Sequence, residues 1–280
     1  MRNGTTTAKK DATCGTSTDV ADHPAGEPTC VADTEDTSHN SPAPPAKASH
    51  LKLNPEAFRE GLAQHASSEF VEMIVKACSE GVSIGYEGPR TYREYPNWPS
   101  TYEHADAVIA SINKDLARGT KAGPFLSPPF NTFVGSPMGC FQRKRSSKFR
   151  VIHDLSYPPS LAINEFIDIT NYKMRYLSLD DVVYRIRRQG RGTLLAKLDL
   201  EDAFKSIPVR EQDWPLLGST FIMYNPETQA FEKHDYYDKV LQMGGRISPM
   251  LFSDFARAAN LVMKHRGVTY SDQYLDDFIT

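Results

Sequence analysis

The stretch TLLAKLDLEDAFKSIPV (residues 193–209) decides the fold, because it puts a carboxylate at the end of a short apolar run. Thr193 to Leu198 predict a strand, and Asp199 falls at its end, where a strand can present an acidic side chain to a cleft. Residues 201–204 predict a tight acidic and aromatic turn. A second acidic motif stands in YLDDFIT (residues 274–280), which we expect to form a turn between two strands.

The chain holds two Asp-Asp pairs, and they are expected to differ in role. Asp180 and Asp181 belong to SLDD, a capping box in which Ser178 begins a helix that ends at Gly190. Acidic residues in a first helical turn complement the helix dipole, so capping explains this pair. No helix pattern follows Asp276 and Asp277, so that explanation fails for the second pair.

Neighbouring strands in one antiparallel sheet would bring Asp199 close to Asp276 and Asp277. Three clustered carboxylates repel one another, and a divalent cation would keep them ionised. Oxygen ligands without His or Cys favour Mg²⁺ or Mn²⁺ over zinc. Two such ions could activate a 3′-hydroxyl and stabilise a leaving pyrophosphate, so the sequence predicts a nucleotidyl-transfer site.

The remaining patterns predict an α+β fold, with an antiparallel sheet packed on helices. Helical spacing marks residues 54–82 and 100–119, and an amphipathic helix follows Gly244-Gly245. Two strands, Met138 to Gln142 and Phe149 to Leu155, flank a loop rich in Lys and Arg, and a hairpin spans residues 221–240 with NPET as its turn. The basic loop is either a solvated turn or a clamp for a polyphosphate.

Composition separates a tail from the body of the chain. Residues 1–50 contain no Phe, Tyr or Trp and are rich in Thr, Ser, Ala and Pro, so we expect them to be disordered. They carry four Lys or Arg and seven Asp or Glu, which accounts for the formal charge of −3. Four scattered cysteines without a CxxC motif, no signal peptide and no long apolar run favour a soluble intracellular protein without a membrane partner, in nucleus or cytoplasm.

Several motifs together resemble reverse transcriptases. LAKLDLEDAF, LQMGGRISPMLF and YLDD are similar to the palm motifs of that family, and KFRVIHDL is similar to its fingers segment. SYPPSLAINEFID, YLSLDDVVYRIR and DWPLLGS make the chain most similar to the DIRS-type retroelements, which use a tyrosine recombinase. The resemblance runs from about Pro124 to Thr280 and rests on the ordered combination of motifs.

The resemblance implies an RNA-directed DNA polymerase and assigns roles to individual residues. Asp199 and Asp276 match the ligands of two Mg²⁺ or Mn²⁺ ions, with Asp277 as the third carboxylate. Phe204 matches the aromatic gate that excludes a ribose 2′-hydroxyl. The other implied contacts are with nucleotide (Arg143 or Lys144, Arg150, Asp202, Ala203, Met243, Gly244) and with template and primer (Ser248, Pro249, Tyr274). Retroviral enzymes have glutamine where this chain has Met243.

The resemblance also implies an organisation and partners. We expect a disordered tail (1–50), a helical N-terminal region (51–122), and fingers with a partial palm (123–280), in a fragment without thumb or RNase H that ends at YLDD. The implied partners are an RNA or DNA template with primer, dNTPs, and an element-encoded recombinase or RNase H. An inactive remnant that binds only nucleic acid or a polymerase is the alternative. An unrelated metal nuclease is less favoured, since it gives Phe204 no role.

Overall fold

The computed structural model describes residues 53–170, 172, 174, 177–268 and 270–280. The disordered tail predicted for residues 1–50 lies outside this part of the chain. All the elements below fall within one compact unit, residues 43–280. The described residues form a mixed α and β structure, as expected, in which helices accompany three separate sheets.

Two helices open the described chain. Helix α1 (Pro55–Leu62) begins after Asn54, whose side chain accepts the Ala57 N–H, as the sequence indicated. Helix α2 (Ser68–Glu80) begins after Ser67, whose hydroxyl accepts the Phe70 N–H. The single helical pattern predicted over residues 54–82 is therefore wrong at residues 63–67, because Ser67 caps a new helix there.

The next two helices form the second predicted helical segment. Helix α3 (Pro99–Glu103) starts one residue earlier than predicted, with Pro99 at its first position, where proline is favoured. Helix α4 (Ala105–Ala117) follows directly after His104, whose backbone conformation is not helical (φ −123°, ψ 41°). The helix predicted after Ser178 is confirmed as α5 (Leu179–Gln189), including its capping box and its end at Gly190. The last helix is α6 (Ser248–His265).

The largest sheet has five strands in the order β1-β3-β7-β8-β2. The hairpin of β7 (Gly218–Asn225) and β8 (Ala230–Asp238) was predicted and is confirmed. The five-stranded sheet was expected to be antiparallel throughout, but it is mixed, since β1 pairs with β3 and β3 pairs with β7 in parallel. The remaining strands of this sheet are β1 (Arg93–Glu94), β2 (Lys121–Phe125) and β3 (Val134–Gly135).

A separate two-stranded sheet carries the basic loop. Strand β4 (Met138–Gln142) has its predicted bounds, and β5 (Phe149–His153) ends two residues before the predicted end. The early end has a local cause, because the Asp154 carboxylate accepts the Ser156 N–H and starts a turn.

The third sheet contains the two acidic motifs. Its order is β6-β10-β9, with β6 (Lys197–Asp199), β9 (Asp272–Tyr274) and β10 (Asp277–Ile279). Strand β6 begins at Lys197 and not at Thr193 as predicted, because its pairing with β10 covers the three residues from Lys197 to Asp199. Ala196 extends the contact by exchanging two backbone hydrogen bonds of 2.9 Å with Thr280.

Two hydrophobic cores hold these elements. The main core joins α1, α2 and α6 to the large sheet and includes Leu62, Ile74, Trp214, Phe252 and Phe278. A second core packs Val108 and Ile112 of α4 against β4 and the face of the large sheet that carries Phe221 and Tyr236. None of the described helices is long and apolar enough to cross a membrane. Cys78 and Cys140 are free, and burial raises the pKa of Cys78 to about 11.

Candidate active site

The predicted acidic residues lie at one end of the small sheet. Asp199 is the last residue of β6 and stands directly opposite Asp277, the first residue of β10. Directly opposed residues project side chains from the same face of an antiparallel pair, with Cα atoms about 4.5–5.5 Å apart. Asp276 lies in the preceding turn, where its backbone oxygen accepts a 3.0 Å hydrogen bond from the Leu200 N–H. The expected pairing of the two strands is confirmed.

The two faces of this sheet have different surroundings. Tyr274 of β9 also opposes Asp277, so Asp199, Asp277 and Tyr274 form one row across the three strands. The next row, on the opposite face, contains Leu198 and Phe278. Phe278 is buried in the main core, so the carboxylates project from the face that the core does not cover.

A lysine on the same face balances part of the acidic charge. The Lys197 ammonium lies 3.0 Å from an oxygen of Asp277. The pKa of Lys197 is raised by this hydrogen bond and by the charge of Asp277, with smaller contributions from Asp199 and Asp276. All three carboxylates therefore act on one exposed cation, which the sequence reasoning did not identify.

The three aspartates that were predicted to hold metal ions are neighbours without forming a closed set of ligands. The three aspartates offer oxygen ligands alone, a donor set that suits Mg²⁺ or Mn²⁺. Among the described residues, however, no group of three or more His, Cys, Asp or Glu side chains is arranged to hold a metal ion. The carboxylates are neighbours, but they do not form a preassembled cluster, and Asp277 has an ammonium as its partner.

The acidic and aromatic turn after β6 has an unusual backbone. Asp202 adopts a left-handed conformation, with φ of 52°, and leads into a 3-10 helix over Ala203–Ser206. Ala203 is buried, and the Phe204 ring lies 5.3 Å from the ring of Phe252 in α6. This contact fixes one side of the predicted aromatic gate against the helix that follows Gly244-Gly245.

Two cations of helix α4 hold this turn. Lys114 donates to the Asp202 carboxylate at 2.9 Å, and Arg118 donates to the same carboxylate and to Glu201. Burial by itself would raise the pKa of Asp202, but the hydrogen bonds from Lys114 and Arg118 outweigh it and lower that pKa. The i, i+4 spacing of Lys114 and Arg118 was visible in the sequence, but it did not reveal their partner.

The loop before α6 is packed against the end of β5. A Cβ atom at Gly244 would collide with the backbone oxygen of His153, so this approach requires glycine. The Asn164 side chain secures the loop, donating to the Gly244 carbonyl at 2.9 Å and accepting the Arg246 N–H at 2.8 Å. Ser248 and Pro249 form the first turn of α6, as the sequence predicted.

A cavity of about 330 Å³ lies between β5 and this loop and is lined by Met243, Gly244 and residues 152–156. His153 is one of these lining residues, and burial, followed by the charge of Lys121, lowers the pKa of His153 to about 3. Lys121 forms a buried ion pair with Asp238, 2.9 Å between nitrogen and oxygen. The cavity therefore places the predicted nucleotide contacts Met243 and Gly244 beside a neutral histidine.

The basic loop between β4 and β5 is exposed. Arg143, Lys144 and Arg150, the predicted nucleotide contacts of the fingers, are all exposed. Within the described residues, none of them has a carboxylate within 4.0 Å. Their charges are available to an anionic ligand.

A larger cavity of about 830 Å³ lies between the end of α2 and residues 208–214 and contains none of the predicted site residues. Its polar residues include Arg210 and Lys239, and the Lys239 ammonium lies 5.6 Å from the centre of the Trp214 ring. The size of this cavity is sufficient for a ligand, but the residues with a predicted catalytic role lie at the small sheet.

Comparison with known proteins shows a distant similarity. Over 172 residues the chain is 28% identical to the Pol-related polyprotein of the mouse intracisternal A-particle MIA14. The matched region covers 61% of this chain and 17% of that polyprotein, so the chain spans about a sixth of the relative's length. No family model matches the chain.

Proposed function

We propose that this chain contains the fingers and part of the palm of a retroelement reverse transcriptase, which adds dNTPs to a primer on an RNA or DNA template. The observation that carries the proposal is the pairing of β6 with β10, which puts Asp199 opposite Asp277 beside the YLDD turn. The similarity to a Pol-related polyprotein supports the same class of function. The motif combination favours a DIRS-type element, with its recombinase and RNase H as partners.

The proposal divides the chain by role. Residues 1–50 are a tail, residues 51–122 brace the polymerase, and residues 123–280 supply fingers and palm. The shared core of α1, α2 and α6 is consistent with a bracing role for the N-terminal helices. On the fingers, Arg150 lies over the incoming nucleotide and Arg143 or Lys144 contacts its β- or γ-phosphate. These exposed cations have no carboxylate partner among the residues that the structure describes, so their charge can be matched by the triphosphate.

The palm residues supply the rest of the proposed mechanism. Two Mg²⁺ or Mn²⁺ ions, held by Asp199 and Asp276 with Asp277 as third carboxylate, would favour the 3′-alkoxide and stabilise the leaving pyrophosphate. The backbone of Asp202 and Ala203 supports the triphosphate, and the ring of Phe204 excludes a 2′-hydroxyl. Gly244 and Met243 face the nucleotide from the cavity beside β5. Template and primer rest on Ser248, Pro249 and Tyr274.

Primer extension on poly(rA)/oligo(dT), with dTTP and either Mg²⁺ or Mn²⁺, tests this function. We expect the chain to extend the primer, and Asp199→Asn or Asp276→Asn to lower the rate by at least about a hundredfold, the scale of losing a catalytic charge contact. Asp180→Asn is the matched control, because that aspartate lies in the first turn of α5 and outside the small sheet. Activity of Asp199→Asn within tenfold of the unmodified chain would place the ligands elsewhere.

A nucleic-acid-binding protein without polymerase activity is the second candidate. It is favoured by the absence, in the described part of the chain, of a preassembled metal cluster, together with exposed cations on the β4–β5 loop and on α5. Duplex binding that persists in EDTA and in Asp199→Ala, without nucleotide incorporation, would support this candidate. Such binding should weaken with rising salt, since phosphate contacts release counterions.

A further inference from the structure

The contact between helix α4 and the turn after β6 is a network of charges of both signs. Lys114 and Arg118 of α4 each reach Glu201 and Asp202 of the turn. In the opposite sense, Lys205 of the turn lies 2.6 Å from Asp115 of α4. Helix α4 thus supplies cations to the start of the turn and a carboxylate to Lys205 near its end, so the network holds the turn at both ends.

The network differs from ordinary surface ion pairs. Isolated exposed pairs contribute little, because water and side-chain entropy offset them. Here the cations share carboxylates, and Asp115 is buried, with an exposed fraction of 4%. A buried carboxylate that holds one partner restricts the geometry of the whole set more than a solvated pair would.

Helix α4 is a rigid support for this network. Its residues Val108 and Ile112 are buried in the second core, against β4 and the large sheet. The turn, in contrast, follows β6, whose three residues are all exposed. The rigid element therefore sets the position of the less buried one.

The turn carries the residue proposed to select the sugar. Phe204 lies two residues after Asp202 and contacts Phe252 on its other side. The turn is thus held between α4 and α6, and a shift of its backbone at Asp202 would move the ring of Phe204. On the proposed function, this movement would change the space left for a 2′-hydroxyl.

We propose that Lys114 and Arg118 are positioning residues that hold the turn of residues 201–206, and thereby set the discrimination of this site between deoxyribonucleotides and ribonucleotides. This inference rests on the proposed polymerase function. Neither residue contacts the nucleotide in this scheme. Both act through Asp202 and Phe204.

The first measurement is hydrogen exchange of the backbone amides of residues 200–206 in the full chain, which requires no activity. We expect Lys114→Gln with Arg118→Gln to speed exchange there by about tenfold, within the range found for coupled residues. The single variant Arg118→Lys keeps the positive charge and should therefore keep most of the protection of these amides against exchange. The matched control is Arg59→Gln, which removes an exposed ion pair with Glu72 between α1 and α2.

The second measurement compares dUTP with UTP on poly(rA)/oligo(dT), since these nucleotides differ only at the 2′ position. The double variant should lower the preference for dUTP by about tenfold through the KM for each nucleotide, with kcat for dUTP within threefold. Arg118→Lys should retain the preference. A general loss of folding would lower kcat for both nucleotides instead, and Arg118→Gln alone provides a milder variant if the double variant unfolds.

The outcomes separate this inference from the proposed function. If exchange over residues 200–206 stays within twofold of the unmodified chain in both the double variant and Arg118→Gln, the inference is overturned, whether or not the chain polymerises. Faster exchange with an unchanged preference for dUTP overturns the role in sugar selection. A folded chain that incorporates neither nucleotide contradicts the polymerase function, and exchange alone then decides whether Lys114 and Arg118 hold the turn.

Discussion

The five-stranded sheet and the three-stranded sheet of this molecule are built very differently. In the large sheet, β7 and β8 pair along eight residues and bury Phe221, Asp235 and Tyr237 almost completely. In the small sheet every residue of β6 is exposed, and the helix before it, α5, has no buried residue. Of the two sheets, the large one therefore buries more apolar area and contributes more stabilising free energy, while the small sheet reaches the main core through Phe278.

The difference follows from what the small sheet carries. Asp199, Asp276 and Asp277 meet at one strand end, and burying them together would require neutralising them. In this thin sheet they lie near solvent, and Lys197 is within 3.0 Å of Asp277. In the large sheet, buried Asp238 has its own cation in Lys121, whereas buried Asp235 lies 3.6 Å from Lys233, which also pairs with Glu94.

Phe221→Ala should have the largest effect on stability. Phe221 fills the second core, with its ring stacked on Tyr102 at 5.7 Å, and its removal should cost about 3–5 kcal/mol. Leu198→Ala in β6 should cost less than about 1 kcal/mol, because Leu198 is 50% exposed. Urea denaturation of both variants measures the contrast, and equal losses would contradict the division of the molecule into a stabilising and an exposed sheet.

Asp213→Asn should have the next largest effect, about 2–4 kcal/mol, because it breaks a buried charge network. Asp213 is fully buried beside the large sheet and accepts hydrogen bonds from Arg90 and Arg210. Burial alone would raise the pKa of Asp213, but these arginines outweigh it and lower that pKa. Its contribution is therefore complete above the unfolded pKa of about 4 and is lost as the pH falls through the lower folded value.

Asp199→Asn is the matched substitution in the small sheet. It should leave the free energy of unfolding unchanged or slightly raised at pH 7, since it relieves repulsion between neighbouring carboxylates. Denaturation curves of Asp213→Asn, Asp199→Asn and the unmodified chain at pH 7 and pH 3 provide the comparison. Asp213→Asn should lose less stability between these pH values than the unmodified chain. A pH dependence that is identical in these two chains would contradict the assigned role of Asp213.

Removing equivalent helix caps should have the smallest effects, about 1 kcal/mol each. Ser67→Ala removes the cap of α2, which buries Val71, Ile74 and Val75, so the loss should lower the midpoint of global unfolding. Ser178→Ala removes the cap of α5, and there the loss should appear as faster hydrogen exchange over residues 179–189 with an unchanged midpoint. An equal shift of the midpoint in both variants would show that α5 is coupled to the core.

Local sequence signals predicted much of the fold. The capping box at Ser178, the β7–β8 hairpin and the strands on either side of the basic loop each depend on residues close together in the chain. The approach of Asp199 to Asp277 was predictable as well. A short apolar run before Asp199 and a turn at YLDD indicated strands, and strands that are neighbours in one sheet bring their acidic ends together.

The contacts that surround the site were not predictable in this way. Arg118 and Asp202 are 84 residues apart, and a lysine and an arginine on a helix surface look the same in sequence whether they meet water or a carboxylate. The same holds for Lys121 and Asp238, separated by 117 residues. The parallel pairing of β1 with β3 involves two residues in each strand, too few to produce a periodic pattern.

Gly244 restricts the substitutions that this chain can tolerate. Any other residue there would drive its first side-chain carbon into the His153 backbone, whereas the same addition at Gly190 meets nothing within 4 Å. Among diverged copies of such a gene, replacement at position 190 would be tolerated in some lineages as a modest backbone strain. Replacement at position 244 would mark copies whose chains no longer close the loop onto β5, even where the three aspartates are unchanged.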